Sequence, residues 1–361
     1  MVSSKMCAAI NSASSNDLWP IAQPPVACFP EEIENALIAM GEPRFRGEQI
    51  FSWLQKRGVT DVNEMTNLSK SLRERLKGVD FSWPLEIGEV HTSADGTRKI
   101  QMPLRRGGAV ETVLIPEGKK LTQCISTQLG CAVGCIFCRS GHAGLKRNLT
   151  AAEIVGQVQL AKAAYSEGER LSNVVFMGIG EPLHNINATL RALRLISHNK
   201  GIDLSTRRVT ISTVGFVKGL KRLSEETNGE VALAVSLHAA DDETRRRLVP
   251  HVSDSLDDIV AALKAYPLPK RRRITIEYVM LKGINDTEAH ARQLVKRLSP
   301  LRVKVNLLPL NPHDKSPFAP PDDETVARFQ KILTDKGLSV FLRKRRGDDI
   351  NAACGQLLAV E

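Results

Sequence analysis

Cys131-Ala-Val-Gly-Cys135-Ile-Phe-Cys138 puts three cysteines into one short loop, three and then two residues apart. A loop this tight aims three thiolates at one point, and thiolates bind soft metals or iron–sulfur clusters. Three ligands on a four-iron cube leave one iron without a protein ligand, open to chelation by the amino and carboxylate groups of a small molecule. A structural zinc asks for four ligands, and only His142 offers itself as the fourth. Three unligated core cysteines are the other bland alternative. The loop reads as a reactive site.

Downstream of Leu121 the chain alternates between strand-like and helix-like stretches. Strands are expected near Gln123–Ser126, Asn173–Met177, Arg208–Ser212, Val231–Ser236, Ile274–Val279 and Val303–Leu308. Helices fit near Ala151–Tyr165, Ala188–Ser197, Val217–Glu225, Leu256–Ala265, Glu288–Leu298 and Asp323–Lys336. Six such units predict an α/β fold, a partial (β/α)6 barrel with a parallel sheet, with a doubly wound open sheet as the alternative. In parallel α/β folds the chemistry gathers in the loops after the carboxyl ends of strands. Five polar or glycine-rich stretches fall there: the cysteine loop, Gly178-Ile179-Gly180-Glu181-Pro182, Ser212-Thr213-Val214-Gly215, Ser236-Leu237-His238-Ala239 and Asn311-Pro312. Singly, each of their small polar residues reads as a turn or a cap.

Upstream, residues between Leu85 and Ile115 alternate and are rich in β-branched side chains, with a turn at Ala94-Asp95-Gly96, so two or three strands are expected. Glu111 sits in this run, on the face opposite Val110 and Thr112. A strand glutamate is ordinarily solvent-facing. From Phe29 to about Lys77 the apolar spacing is helical, with Asn67 or Ser69 as a cap for a helix ending near Leu76. The first 28 residues lack a sustained apolar core and read as a disordered tail. The expected organisation is a tail over 1–28, a helical accessory domain over 29–95 that contacts RNA, and a core over 96–361 with a β extension and a C-terminal tail.

The chain of 361 residues carries 50 Lys and Arg against 40 Asp and Glu, a net +10. This surplus favours a polyanionic partner, and it lies in runs such as Arg245-Arg246-Arg247, Lys270 to Arg273 and Arg343-Lys344-Arg345-Arg346. One run alone is a solvated face; the number of runs points to nucleic acid. No apolar stretch approaches the roughly 20 residues that span a bilayer. Seven cysteines, an odd count without a secretory leader, indicate a reducing compartment, the cytoplasm.

Two cysteines lie outside the loop. Cys124 falls just ahead of it, and Cys354 falls in Gly347-Asp348-Asp349-Ile350-Asn351-Ala352-Ala353-Cys354-Gly355-Gln356-Leu357. A thiol flanked by Ala and Gly is accessible enough to act as a nucleophile. Together with Val110 to Pro116, Arg147-Asn148-Leu149-Thr150, the Gly-Glu-Pro loop, Ser-Leu-His-Ala and Tyr278-Val279-Met280-Leu281, these motifs resemble the RlmN/Cfr family of radical S-adenosylmethionine (SAM) RNA methyltransferases.

The resemblance implies one [4Fe-4S] cluster on Cys131, Cys135 and Cys138, and two molecules of SAM per turnover. It implies a SAM site of Gly180, Glu181, Ser212, Ser236, Leu237, His238 and Asn311. Cys354 would carry a methyl group, Cys124 would resolve the RNA–protein adduct through a disulfide bond, and Glu111 would be the general base. The implied substrate is an adenine of 23S rRNA, methylated at carbon 2, with adenine 37 of tRNA as a possible second. The implied companions are an electron donor such as flavodoxin and no membrane, for a monomer in the cytoplasm. Gly-Glu-Pro and Arg346-Gly347-Asp348-Asp349 favour this branch over the one that methylates carbon 8. From another class, a non-catalytic RNA-binding protein with a structural metal is the alternative.

Overall fold

The computed structural model describes residues 19–313 and 316–358. Residues 1–18 of the expected tail lie outside the described residues. Residues 19–28 correct the expectation of disorder: Trp19, Val26, Ala27 and Cys28 are buried, and Trp19 meets Phe81 edge to face at 6.0 Å. Two aromatic and several small apolar side chains provide a pocket's worth of burial that their sparse spacing did not advertise.

The described residues up to Trp83, with Lys200–Ile202, form one compact unit. It holds helices α1 (Pro30–Ala39), α2 (Arg46–Phe51), which runs on into a π-helical turn over Ser52–Arg57, and α3 (Lys70–Leu76). The two candidate caps divide the work. Ser69 Oγ accepts the Leu72 N–H at 3.2 Å, while Asn67 Oδ1 accepts the Trp53 indole N–H at 2.6 Å.

The remaining residues form the second unit. Strands β1 (Val90–Thr92), β2 (Arg98–Pro103), β3 (Ala109–Glu117) and β4 (Lys120–Cys124) are antiparallel neighbours. Next come a separate hairpin, β5 (Gln128–Gly130) and β6 (Leu145–Asn148), with α4 (Arg139–His142) between its strands. The chain then alternates: α5 (Ala151–Leu160), β7 (Arg170–Phe176), α6 (Ile186–Ile196), β8 (Val209–Thr213), α7 (Val217–Thr227), β9 (Ala232–Ser236), α8 (Asp242–Leu248), α9 (Leu256–Ala265), β10 (Ile274–Met280), α10 (Glu288–Leu298), β11 (Val303–Pro309), α11 (Asp323–Asp335) and β12 (Ser339–Leu342). From β4 through β7 to β12 every neighbouring pair is parallel and in chain order, an open, partial barrel extended at one side by the antiparallel strands.

Local chemistry explains the alternation. In β10, Ile274, Ile276, Tyr278 and Met280 are buried while the residues between them are half-buried, the two-residue period of a strand covered more heavily on one face. Thr150, Ser255 and Thr287 each accept a backbone N–H three residues on, and Glu153, Asp258 and His290 reach back, so α5, α9 and α10 start on capping boxes. Glu111 departs from the ordinary solvent-facing strand glutamate. β3 is buried on both faces from Ala109 to Leu114, and Glu111 is 9% exposed.

Candidate active site

The cysteine loop sits between β5 and α4. At its entrance, Gly130 has φ +78°, and a Cβ there would come within 1.8 Å of the Gly144 oxygen. That closeness lets the Cys131 N–H bond Gly144 O at 3.0 Å. Within the loop the Cys138 N–H bonds Cys135 O, and the Ile136 N–H bonds Leu248 O at the end of α8. Val133 and Phe137 pack with Val214, Leu248, Val249, Leu281 and Leu310, and all three cysteines lie against this cluster. The apolar anchor, not the sulfurs, holds the loop.

Cys131, Cys135 and Cys138 line one cavity together with Gly180, Glu181, Ser212, Ser236, His238, Asn311 and Cys354. All five loops expected to share a rim contribute to it. Burial pushes the Cys131 thiol up to about 12, and burial followed by the neighbouring Cys138 and Cys131 pushes Cys135 well up too. A cationic group would have to enter before these sulfurs ionise together. Among the described residues no three Cys, His, Asp or Glu groups form a set that could hold a single metal ion. His142, the only fourth ligand open to zinc, has its Nε2 2.8 Å from Ile136 O and its ring against His313.

Glu181 is buried and spends its carboxylate on backbone: Oε1 accepts the Leu183 N–H and Oε2 the Val214 N–H, both at 2.9 Å. It thereby ties the Gly178–Pro182 loop to the end of β8. Gly180 has φ +104° and presses on Gln128, whose Oε1 accepts the Glu181 N–H at 2.8 Å. His238 Nδ1 accepts the Val279 N–H at 3.1 Å, and burial, with help from Arg245, lowers its pKa to about 3. The ring is neutral and its remaining proton is on Nε2. Leu237 is buried but does not line the cavity; its N–H bonds Glu277 O.

The C-terminal segment folds over this rim. Asn311 Nδ2 donates to Cys354 O at 3.1 Å, the Arg139 N–H bonds Gly355 O, and Ser140 Oγ bonds Leu357 O at 2.7 Å. Cys354 is open to solvent, yet the protein packed around it, and then Glu277, push its thiol up while Arg343 opposes them. Glu111 accepts the Leu358 N–H on Oε2 at 2.8 Å and pairs through Oε1 with Lys99 at 3.1 Å. Cys124 ends β4, buried and outside the cavity lining, its thiol raised by burial and then by Cys354. No disulfide joins the described cysteines: all six, Cys124 and Cys354 among them, are free thiols.

Four contributors escaped the sequence reading. Glu277 on β10 lines the cavity between its register partners, Ser236 of β9 and Asn306 of β11, and accepts from Asn306 Nδ2 at 2.9 Å. Its position in a strand whose alternate residues are buried was the available signal. Gln356 and Ser140 hold the tail, and Arg245 hid inside a basic run.

The donor set fits a thiolate-bound cluster with a polar small molecule beside it. Three thiols share the cavity, Asn311 Oδ1 is buried without a partner, and the Ser212 and Ser236 hydroxyls make no hydrogen bond among the described residues. A model of the radical SAM superfamily matches residues 125–295. The crystal structure of a radical SAM methyltransferase from Sphaerobacter thermophilus superposes with a TM-score of 0.86 at 41% identity, over 93% of this chain and 99% of that one. Fold and site thus define a radical SAM methyltransferase.

A model of the ribosomal RNA large subunit methyltransferase N-terminal domain matches residues 29–80. The dual-specificity RNA methyltransferase RlmN of Sorangium cellulosum is 50% identical over 92% of this chain and 95% of its own length. Its namesake in Nitratidesulfovibrio vulgaris (strain DP4) is 45% identical over 92% and 93%. The chain belongs to the RlmN family. With that membership come one [4Fe-4S] cluster and two molecules of SAM per turnover. Among the described residues no helix is long and apolar enough to cross a membrane.

Proposed function

We propose that this chain methylates carbon 2 of an adenine in 23S rRNA, and adenine 37 in tRNA, with Cys354 as the methyl carrier. The observation that carries the reading is the sharing of one cavity by Cys354, the three loop cysteines and the strand-end polar groups. Cys131, Cys135 and Cys138 would hold the cluster, and Gly180, Ser212, Ser236, His238 and Asn311 would face SAM. When bound, the cluster and SAM supply an electrophilic methyl group and the one-electron chemistry that activates it.

An adenine ring carbon between two nitrogens is electron-poor and does not attack a sulfonium methyl as an amine does. The protein therefore has to take the methyl first. Cys354 Sγ loses its proton towards the open side of the cavity and would form the new S–C bond as the methyl leaves the sulfonium sulfur of SAM, with S-adenosylhomocysteine as the leaving group. Neutral His238 presents Nε2–H as a donor, while Glu181 keeps the Gly178–Pro182 and Val214 loops in register. After transfer to the base, Glu111 accepts the ring proton, which requires the Leu358 N–H to leave its oxygen. Cys124 then attacks the Cys354 sulfur: the S–S bond forms as the bond from that sulfur to the base-bound methylene breaks. The methylene keeps the electron pair and takes a proton from solvent to become methyl, and the RNA departs, leaving a transient disulfide for an external thiol to reduce.

The helical unit ending at Trp83, with Arg57 stacked 4.0 Å over Trp53, and the basic runs are proposed to hold RNA. The setting is the cytoplasm, with a flavodoxin-type electron donor and a single chain as the working unit. The test is mass mapping of methyladenosine isomers after reaction of the anaerobically reconstituted enzyme with ribosomal and transfer RNA. 2-Methyladenosine is the expected product; 8-methyladenosine, or RNA bound without SAM consumption, overturns the reading.

A further inference from the structure

Arg245-Arg246-Arg247 reads in sequence as one basic run, but α8 turns its first arginine inward. Arg245 is 3% exposed, whereas Arg246 and Arg247 are exposed. Its guanidinium donates to the carbonyls of Val214, Leu237 and Ser236, at the ends of β8 and β9, and its Nε is buried without a partner. Among the described residues it makes no ion pair. A buried guanidinium whose hydrogen bonds go only to carbonyl dipoles is costly unless an anion is brought to it.

Helix α8 shows where that anion belongs. Leu248 at its end accepts the Ile136 N–H of the cysteine loop at 3.1 Å, and Leu248 and Val249 pack in the cluster that backs Cys131, Cys135 and Cys138. Val214 and Ser236, whose carbonyls Arg245 holds, line the same cavity as those cysteines. Asp242 and Asp254 are the carboxylates in its surroundings, and each accepts a backbone N–H elsewhere, from Leu256 and from Val217, without pairing with the guanidinium.

We infer that Arg245 is the internal counter-charge of the iron–sulfur cluster, offsetting the negative charge of cluster and thiolates and raising the cluster's reduction potential. The inference rests on the assignment of the cluster to the three loop cysteines. One-electron reduction by an external donor adds one negative charge to the cluster and breaks no bond in the protein. Attraction to Arg245 therefore grows on reduction, which favours the reduced form. Arg245 acts as a positioning and tuning residue.

The test uses the full chain, reconstituted without oxygen, as wild type, R245M and R245K. Iron and sulfide are counted, and the midpoint potential is read by spin resonance during titration with a dithionite-poised mediator mixture. In R245M the reduced-to-oxidised ratio at a fixed potential should fall roughly tenfold, about 59 mV for a one-electron couple, and R245K should stay close to wild type. Melting temperatures separate tuning from scaffolding: R245M should lower the melting point of the cluster-loaded protein more than that of cluster-free protein. Low iron in R245M with an unchanged cluster-free melting point supports the inference. A fully loaded R245M at the wild-type potential overturns it, as does an equal melting loss in both forms. Should R245M fail to fold, R245K decides: wild-type potential supports the charge, and a tenfold change in ratio overturns it. Wild type devoid of iron and sulfide fails earlier and differently, because it removes the cluster assignment itself.

Discussion

The rim of the cavity and the tail that crosses it are built on different physics. The rim is the end of a parallel sheet, with Val133, Phe137, Val214, Leu281 and Leu310 buried together and Glu181 bonding two backbone N–H groups. The tail buries only the small side chains of Ala352 and Ala353 and the side chain of Leu357, and is otherwise held by a handful of polar contacts: Ser140 and Arg139 to Leu357 and Gly355, Asn311 to Cys354, Gln356 to Pro312, and Leu358 to Glu111. At its base, Asp349 accepts the Ser93 hydroxyl and the Ala94 N–H, and Asp95 accepts the Gly347 N–H. Apolar burial fixes a surface permanently, whereas single hydrogen bonds exchange with water at little net cost. A sulfur proposed to meet SAM, then RNA, then a second thiol belongs on the second kind of structure.

The largest effects should come from removing sulfurs, and they should separate the two regions. Cys135→Ala is expected to lose iron, sulfide and all methyl transfer. Cys354→Ala should keep iron, sulfide and SAM binding yet give no methylated RNA in a single-turnover assay. A C354A protein that still methylates adenine would show that the tail is not the carrier. Next, Cys124→Ala should stop after one event, with chain and RNA covalently joined on a denaturing gel. Free methylated RNA released at the wild-type rate would remove Cys124 from the release step.

Acidity gives a sharper probe of the tail. Protein packing and Glu277 hold the Cys354 thiol above its ordinary range, so near pH 7 little of it is thiolate. The methyl-accepting form then grows with pH, about tenfold per unit while the pH stays below the thiol's pKa. Mass spectrometry of the Cys354 peptide after a brief exposure of the reconstituted enzyme to SAM, between pH 7 and 9, should show methylation rising along that slope. His238, whose pKa is lowered to about 3, contributes no opposing limb in this range. A flat profile would mean that the thiol is already ionised.

The same contrast decides what the sequence disclosed. The six core strands were legible because each is an apolar run of strand length, and α9 and α10 ran from Leu256 to Ala265 and Glu288 to Leu298 as expected because Ser255 and Thr287 signal their starts. Motifs after strands were legible because a parallel sheet has one chemical end. α8 was not, since Asp-Glu-Thr-Arg-Arg-Arg-Leu offers only one apolar residue and Arg245 is buried by charge rather than by hydrophobicity. β12 escaped as well: its side chains are half-buried or exposed at an edge, which leaves no alternating pattern to read. The burial of Glu111 was not legible because alternation presumes one wet face, and β3 has none over its first six residues. The resemblance to a family supplied the roles of Glu111, Cys124 and Cys354; nothing in their spacing could.

Gln356 offers the mildest break between the two regions. Its Oε1 accepts the Ala353 N–H at 3.0 Å, and its Nε2 donates to Pro312 O and Asp348 Oδ1 at 2.9 Å each, so one buried amide links the tail to the rim and to its own base. Gln356→Leu keeps the volume and strands the Ala353 N–H and Pro312 O, a local penalty of about 1–3 kcal/mol. Because that penalty falls on the docked tail and leaves the sheet untouched, the loss should appear as tail release. Trypsin should cut faster after Arg345 or Arg346, iron content and SAM affinity should hold, and kcat should drop about tenfold, a rough equivalent of 1.4 kcal/mol in docked population. Equal losses in SAM affinity and in kcat would mean that the tail and the rim are one rigid piece, and the division between them would not survive.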